Sequence, residues 1–248
     1  MMDNMEIFMD VYSGLPRGGP GSNASSRRAW AMLPAVPPAP RILDVGCGPG
    51  MQTVELARLS GGTVTALDFH QPFLDKLAAS AAAAGVADRV RTVHGSMDAL
   101  PFAPGEFDII WGEGSLYIMD FAKALGYLKG FLKPGGYLAA TEATWLRNDV
   151  PERPRKFWEV CYPAITDVAG NLGLFAAAGY GMVGHFALPG ADWWDNYYRP
   201  LEQRLPQMRA KYAGNPAGLA IVAEAQAEID LHREYGEYYG YVFYIARK

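Results

Sequence analysis

A glycine-rich run, ILDVGCGPG, carries the residue types and the spacing that come closest to binding chemistry in this chain. Gly46, Gly48 and Gly50 alternate behind a short apolar segment that contains Asp44. Glycines let the backbone approach a ligand and point its amides at it, so the run predicts a nucleotide-binding loop between a strand and a helix. Glycine also marks plain tight turns, and the loop alone does not separate these two interpretations.

Asp68, at the end of the run TALD, is the second candidate for nucleotide binding. It follows Gly50 by 18 residues, close to the roughly 20 expected for an acid that hydrogen-bonds a ribose diol. A dinucleotide loop, G-x-G-x-x-G, would need a glycine where Met51 stands. Asp44 would sit poorly beside a pyrophosphate and well beside an ammonium group. The pattern favours S-adenosylmethionine (SAM) over NAD and leaves a nicotinamide-dependent dehydrogenase as the weaker alternative.

Five segments resemble, in order, the motifs of class I SAM-dependent methyltransferases, and together they span residues 41–142. They are ILDVGCGPG, VTALD, HGSMDALPF, FDIIWGEGSLY and LKPGGYLAATE. The set is similar to the small-molecule methyltransferases of ubiquinone and menaquinone biosynthesis. Residues 17–22, RGGPGS, resemble the N-terminal segment of an uncharacterised prokaryotic subgroup. The resemblance implies a methyltransferase with SAM as cofactor; the alternative is a protein that binds SAM without transferring its methyl group or uses it for other chemistry.

The resemblance also implies which residues contact SAM. They are Asp44, Gly46, Cys47, Gly48, Asp68, Phe69, Ser96, Met97 and Glu113. Asp68 would hold the ribose, Phe69 would pack on the adenine, and Glu113 would begin the loop beside the sulfonium. Ser96 replaces an aspartate common in the family, which predicts a weaker, neutral contact to the adenine amino group.

Arg17 joins the predicted cofactor-binding residues on a separate argument. It lies in residues 12–22, whose glycines and prolines also fit an ordinary loop. If this segment folds over the cofactor, a guanidinium suits the carboxylate of SAM.

Three residues are the candidates for catalysis. Methyl transfer from a sulfonium is an in-line displacement that needs alignment and exclusion of water, and a base is needed only if the acceptor must lose a proton. Glu113 and Glu142 follow the fourth and fifth predicted strands, and Tyr117 lies just beyond the fourth. Glu113 has an alternative role in orienting SAM, and Glu142 in capping a loop. The aromatic residues after Glu142 serve either the core or an apolar or aromatic acceptor pocket.

Apolar strands that alternate with helices predict an α/β fold with a doubly wound, mostly parallel, seven-stranded sheet. The predicted strands cover residues 41–45, 63–67, 90–94, 107–111, 137–141, 182–188 and 238–246. The predicted helices cover residues 51–59, 71–84, 120–132, 193–212 and 216–235.

The pattern also divides the chain into an N-terminal cap and linker (1–40) and a Rossmann-like methyltransferase domain (41–248). Within that domain, residues 144–181 and 190–236 are predicted to form lid or substrate elements. The second of these contains a helical insertion before the last strand, which is expected to be antiparallel.

The composition of the chain limits which kinds of partner and cellular location are expected. With 22 Lys and Arg against 26 Asp and Glu, the net charge of −4 argues against a nucleic-acid partner. Two cysteines without zinc spacing predict neither a metal site nor a disulfide scaffold. Residues 168–191 lack charge, but their six glycines argue against a membrane span. An acidic N-terminus predicts a cytoplasmic location. The expected partner is a small-molecule acceptor, and the chain is a monomer or a homodimer.

Overall fold

The computed structural model describes residues 3–248 and is built around one eight-stranded sheet. The strands are β1 (Arg41–Val45), β2 (Thr63–Asp68), β3 (Val90–His94), β4 (Phe107–Glu113), β5 (Leu132–Trp145), β6 (Thr166–Asp167), β7 (Gly181–Ala187) and β8 (Tyr239–Arg247). The helices are α1 (Asn4–Tyr12), α2 (Asn23–Ala31), α3 (Met51–Ser60), α4 (Gln71–Ala83), α5 (Phe121–Lys129), α6 (Glu152–Cys161), α7 (Val168–Ala177), α8 (Gly190–Trp193), α9 (Arg199–Lys211) and α10 (Pro216–Tyr235).

The strand order is β3-β2-β1-β4-β5-β8-β7, with the two-residue β6 beside the end of β5. Strands β1 to β5 pair in parallel, whereas β8 runs antiparallel between β5 and β7. The chain order reverses at β1, because β2 lies on one side of it and β4 on the other. A crevice is expected at the carboxyl ends of the strands at such a reversal point.

The central strand β1 is buried on both faces. Ile42 packs against helices on one face, while Leu43 and Val45 pack on the other, and none of the three is exposed. Helices cover both faces of the sheet, so the strand is a continuous apolar run rather than an alternating one.

A third apolar cluster lies away from the sheet and joins the N-terminal cap to the helical insertion. Ile7 of α1 packs with Leu201 of α9 and Ile229 of α10. The buried Ser25 of α2 donates a hydrogen bond at 2.5 Å to Asp192 of α8. The N-terminal cap and the helical insertion before β8 therefore pack together over the carboxyl edge of the sheet.

The glycine loop folds as its sequence predicts. Gly50, the residue before α3, has φ +82°, and a Cβ there would lie 2.3 Å from the side chain of Leu77. Only glycine combines this left-handed conformation with so close a helix. Glycine at position 50 therefore sets the start of α3 and its approach to α4.

The α/β class, the mostly parallel sheet and the antiparallel last strand are confirmed, with three differences in detail. The prediction omitted β6 and α6, and it began the fifth strand at Tyr137, whereas β5 begins at Leu132. The Pro-Gly-Gly turn signal hides the start of β5, because proline and glycine are ordinarily strand breakers. The sheet consequently has eight strands rather than seven, the extra strand having two residues.

The charge-free stretch of residues 168–191 divides into helix α7, strand β7 and the start of α8. In residues 3–248, no helix has both the length and the apolar composition that a bilayer crossing requires.

Candidate functional site

A cavity of about 410 Å³ opens at the carboxyl edge of the sheet, where β1, β2 and β4 end. Its walls include nine of the ten residues predicted to contact the cofactor: Arg17, Gly46, Cys47, Gly48, Asp68, Phe69, Ser96, Met97 and Glu113. Tyr117, predicted as a catalytic candidate, lines it as well. The structure thus brings together residues that are up to 100 positions apart in the chain.

Asp68, at the end of β2, holds the glycine loop in place. Its Oδ2 accepts from the amide of Gly48 at 2.8 Å, and its Oδ1 accepts from the amide of His70 at 2.9 Å. Each carboxylate oxygen can accept a further hydrogen bond, so the side chain remains able to bind a diol. Burial raises the pKa of Asp68, although the two amides oppose that effect.

Asp44 lies behind the loop rather than in the cavity wall, which differs from the predicted direct contact. Its Oδ2 accepts from Thr53 Oγ1 at 2.6 Å and from Gln52 Nε2 at 3.3 Å, and Gln52 lines the cavity in its place. The other oxygen, Oδ1, is buried without a partner among the described residues. Burial raises the pKa of Asp44 to about 7, so the charge of this group depends on what binds nearby.

Arg17 and Glu113 form a buried ion pair across the cavity wall. Arg17 Nη1 donates to Glu113 Oε2 at 2.5 Å, and each side chain is 3% exposed. Glu113 Oε1 also accepts from Ser26 Oγ at 2.7 Å and from Trp111 Nε1 at 2.8 Å. Three donors thus occupy the two oxygens of this carboxylate and fix its orientation.

The N-terminal segment is therefore an ordered wall of the cavity and not a free loop. Arg17 reaches Glu113 rather than projecting freely toward a ligand, and its Nη2 also donates to Ser26 at 3.3 Å. Next to it, Gly18 lies against the glycine loop, 3.8 Å from where a Cβ on Gly48 would stand. Glycine on both sides permits this close approach of the two backbones.

An apolar ring lies open at one end of the cavity: Phe69, which follows β2, is 50% exposed. Phe8 of α1 is 44% exposed and also lines the cavity, with its ring centre 4.5 Å from that of Tyr12. Ser96 and Met97 line the same cavity. Exposed aromatic surface inside a cleft is typical of a site that stacks a planar ligand.

The other end of the cavity carries tyrosines. Tyr117 is 42% exposed and lies 5.8 Å from Tyr162, ring centre to ring centre, in an edge-on arrangement. Glu142 of β5 does not line the cavity; it is buried behind these rings, and neither of its oxygens has a hydrogen-bond partner in residues 3–248. Burial raises the pKa of Glu142 to about 8, and the nearby Tyr162 hydroxyl opposes that rise only in part.

Several lining residues escaped sequence reasoning. They are Met5, Phe8 and Met9 of α1, Gln52 of α3, Asp98 and Ser115. Gln52 was predictable from its position, one turn into the helix that follows the glycine loop. The α1 residues were not, because only the packing of the N-terminal cap places them there. Tyr197, in the π-helical turn between α8 and α9, is one of the aromatic residues after Glu142 for which an acceptor pocket was an expected role, and it lines the cavity. Among the described residues, no group of three or more His, Cys, Asp or Glu side chains has the arrangement of a metal site.

Comparison with known proteins identifies the family of this chain. A methyltransferase domain model matches residues 42–136. The uncharacterized protein YjhP of Escherichia coli is 30% identical over 200 residues, which cover 78% of this chain and 77% of YjhP. The chain belongs to the class I SAM-dependent methyltransferase family. Membership confirms the resemblance predicted from the five sequence motifs.

Other family members match more of the fold than of the sequence. A demethylmenaquinone methyltransferase of Mycolicibacterium gilvum is 34% identical over 123 residues, covering 49% of this chain and 50% of that enzyme. The chain spans only 30 to 60% of the length of the first curated relatives it matches. A SAM-dependent methyltransferase of Geobacter sulfurreducens, solved with S-adenosyl-L-homocysteine, superposes with a TM-score of 0.81 at 24% identity, covering 99% of both chains.

Proposed function

We propose that this protein transfers the methyl group of SAM to a small-molecule acceptor. The observation that carries the proposal is one cavity with two unlike ends: a glycine loop with Asp68 and an open Phe69 ring at one, and tyrosines at the other. The solved relative with S-adenosyl-L-homocysteine supports SAM as the cofactor.

The residues at the loop end fit SAM. Asp68 would accept from the ribose hydroxyls, Phe69 would pack on the adenine, and the amides near Gly46 and Gly48 would face the methionine part. The buried carboxyl of Asp44 supports the same assignment, since an ammonium group in the cavity would favour its ionised form without direct contact. Asp44 would act through Gln52 and the loop because it lies behind the wall.

SAM supplies an activated methyl group on a positively charged sulfur. The protein's own task is to align the acceptor and to exclude water. The N-terminal segment serves this purpose, because Arg17 is fixed to Glu113 and Gly18 lies against the glycine loop. In this proposal Glu113 positions Arg17 at the cavity wall.

Proton removal, where the acceptor needs it, falls to the tyrosine end. Glu113 is unsuited because three donors already occupy its carboxylate oxygens. Glu142 has a raised pKa of about 8 but does not line the cavity, so it would take a proton only through a group that does. Burial raises the pKa of Tyr117, so its hydroxyl stays protonated at neutral pH.

We further propose an acceptor with an apolar or aromatic body, because Ile118 and Tyr117 line the cavity with large exposed surfaces. The proposal includes a cytoplasmic site of action, on the acidic N-terminus, and no nucleic-acid partner, on the net charge of −4. The expected assembly is a monomer or a homodimer.

Thermal unfolding with SAM, S-adenosyl-L-homocysteine or NAD tests the cofactor. At about 100 times its Kd, either SAM compound should raise Tm by roughly 5–10 °C, and NAD should not. Asp68→Asn should weaken SAM binding by about tenfold or more, because an amide cannot accept at both positions. Asp75→Asn, an exposed carboxyl on α4, is the matched control. Stabilisation by NAD alone would support the dehydrogenase and refute the proposal.

Release of S-adenosyl-L-homocysteine during incubation with SAM and a panel of small metabolites then separates transfer from binding alone. A methylated product is expected for at least one acceptor. Tight SAM binding with no product across amines, alcohols, thiols and quinols would favour the SAM-binding alternative.

A further inference from the structure

Three tyrosines from distant parts of the chain meet at one end of the cavity. They are Tyr12 of α1, Tyr117 beyond β4, and Tyr197 between α8 and α9. The rings of Tyr12 and Tyr197 stack with centres 6.3 Å apart, and Tyr117 lies edge-on to Tyr162. Aromatic faces carry partial negative charge, so rings gathered around a space attract a cation.

Two acidic side chains lie behind these rings. Glu142 projects from β5, and Glu228, half-buried, projects from α10. Both charges act on the same tyrosine: burial raises the pKa of Tyr117 most, followed by Glu228 and Glu142. When ionised, the two carboxyls therefore place negative charge near the same ring, although they belong to different elements of the fold.

Neither carboxyl has a positive partner in residues 3–248. Glu228 accepts from the Tyr198 hydroxyl at 2.8 Å, and the oxygens of Glu142 make no full hydrogen bond within residues 3–248, although the Tyr162 hydroxyl lies near them. No Lys, Arg or His of the described chain forms an ion pair with either of them. A buried carboxyl without donor or counter-charge is costly, and a bound cation would relieve that cost.

The cavity offers little to an anion. Among the described residues that line it, Arg17 is the one basic side chain, and Glu113 already neutralises it. A carboxylate or phosphate on the acceptor would meet acids and ring faces at the tyrosine end without a counter-charge.

We propose that the acceptor is an amine with an apolar body, held by the rings of Tyr12, Tyr117 and Tyr197 and by the field of Glu142 and Glu228. This inference rests on the proposed function, because it names the acceptor of the same site.

The arrangement suits the charge changes of N-methylation. The bound ammonium first loses one proton to solvent, because Glu142 lies behind the rings and does not line the cavity. The nitrogen lone pair then forms the new bond to the methyl carbon while the carbon–sulfur bond breaks and its electron pair stays on sulfur. Positive charge thereby moves from sulfur to nitrogen, toward the tyrosines and acids that stabilise it.

Calorimetric titration of the full chain saturated with S-adenosyl-L-homocysteine tests this inference. The four probes share one ring: benzylamine, benzyltrimethylammonium, benzyl alcohol and benzoate. At pH 9, above the pKa of about 8 of Glu142, benzyltrimethylammonium should bind about tenfold more tightly than benzyl alcohol. Benzylamine should bind more tightly than benzyl alcohol at pH 7, and benzoate should bind most weakly at both pH values.

Charge-neutralising variants identify the source of this preference. Glu142→Gln and Glu228→Gln should each weaken benzyltrimethylammonium binding by about three- to tenfold and leave the affinity for S-adenosyl-L-homocysteine within about twofold. Glu234→Gln, which replaces an exposed carboxyl later on α10, is the matched control and should change neither affinity.

Two outcomes would overturn the amine assignment. One is that benzyl alcohol or benzoate binds as tightly as the cations, and the other is that both acid variants bind benzyltrimethylammonium like the parent. If S-adenosyl-L-homocysteine itself fails to bind, the proposed function is lost instead, so the two failures are distinguishable.

Discussion

The two ends of the cavity differ in how completely their polar groups are paired. At the loop end, which we propose holds the cofactor, Asp68 accepts from two backbone amides and Glu113 from three side chains. At the tyrosine end, which we propose holds the acceptor, Glu142 makes no full hydrogen bond within residues 3–248, and Glu228 has only the Tyr198 hydroxyl. The loop end is therefore held in place by hydrogen bonds within the protein, whereas the acids near the tyrosine end lack a counter-charge among the described residues.

The two ends also differ in how the chain builds them. The loop end is formed by one continuous part of the sheet, strands β1 to β4 with their loops. The tyrosine end is formed by α1, β5 and the helices α8 to α10. It forms only when the N-terminal cap packs against the helical insertion. A substitution should therefore act locally at the first end and through packing at the second.

The largest effect is expected at Gly46, in the glycine loop. Gly46 has φ +67°, and a Cβ there would lie 2.5 Å from the Cβ of Ser115. Gly46→Ala should weaken SAM binding by about 100-fold or more, because backbone strain adds to a clash in the cavity wall. Isothermal titration with SAM measures it.

Gly61→Ala is the matched control, since Gly61 has φ +61° and no atom within 4 Å of its Cβ position. It should lower stability by about 1 kcal/mol through strain alone and leave SAM affinity unchanged. Equal losses of SAM affinity in the two variants would show that the clash with Ser115 is unimportant.

The next effect concerns the Arg17–Glu113 pair, which joins the N-terminal segment to β4. Arg17→Met or Glu113→Gln alone leaves one buried group uncompensated and should cost about 3–5 kcal/mol of stability, with SAM binding at least tenfold weaker. The double variant leaves no unpaired charge. It should unfold at a higher temperature than either single variant, and strictly additive losses would contradict coupling between the two residues.

A pH-dependent effect is expected from Glu142. Its folded-state pKa of about 8 lies above its ordinary value near 4.5, so the folded state holds an extra proton between these values. The free energy of unfolding should fall as pH rises from about 4.5 through about 8. Glu142→Gln removes that loss and should be more stable than the parent at pH 9, by about 2 kcal/mol.

The informative quantity in that measurement is the difference in unfolding free energy between the parent and the Glu142→Gln variant. Asp44, with a pKa of about 7, contributes a loss in the same direction to both chains. His232, whose pKa burial lowers to about 4, destabilises both as pH falls below about 6.5. Parallel curves of unfolding free energy against pH for parent and Glu142→Gln would rule out a protonated Glu142 in the fold.

The smallest effect is expected where α2 joins α8. Ser25→Ala removes the donor to the buried Asp192 and should cost about 1–2 kcal/mol of stability. Ser80→Ala, on the exposed face of α4, should change stability by less than about 0.5 kcal/mol. A Ser25→Ala variant as stable as the parent would show that this hydrogen bond contributes nothing to closing the cap over the site.

The sequence predicted the loop end of the cavity more completely than the tyrosine end. The loop, Asp68 and Phe69 were predictable because their positions are local: each follows a strand at a fixed place in the sheet. The contact between Tyr12 and Tyr197 was not predictable, since they lie 185 residues apart and no periodicity relates them. Arg17 and Glu113 were both predicted at the site, but their ion pair was not, because pairing across 96 residues depends on how the cap folds.

The central claim is that the cofactor occupies the loop end, where the polar groups are paired, and leaves the tyrosine end free for the acceptor. A crystal structure of the protein with S-adenosyl-L-homocysteine tests it most directly. The adenine should lie against Phe69 and Met97, the ribose should contact Asp68, and the sulfur should face the space lined by Tyr117 and Tyr197. Adenosine bound among the tyrosines, or a cofactor that does not contact Asp68, would contradict the account.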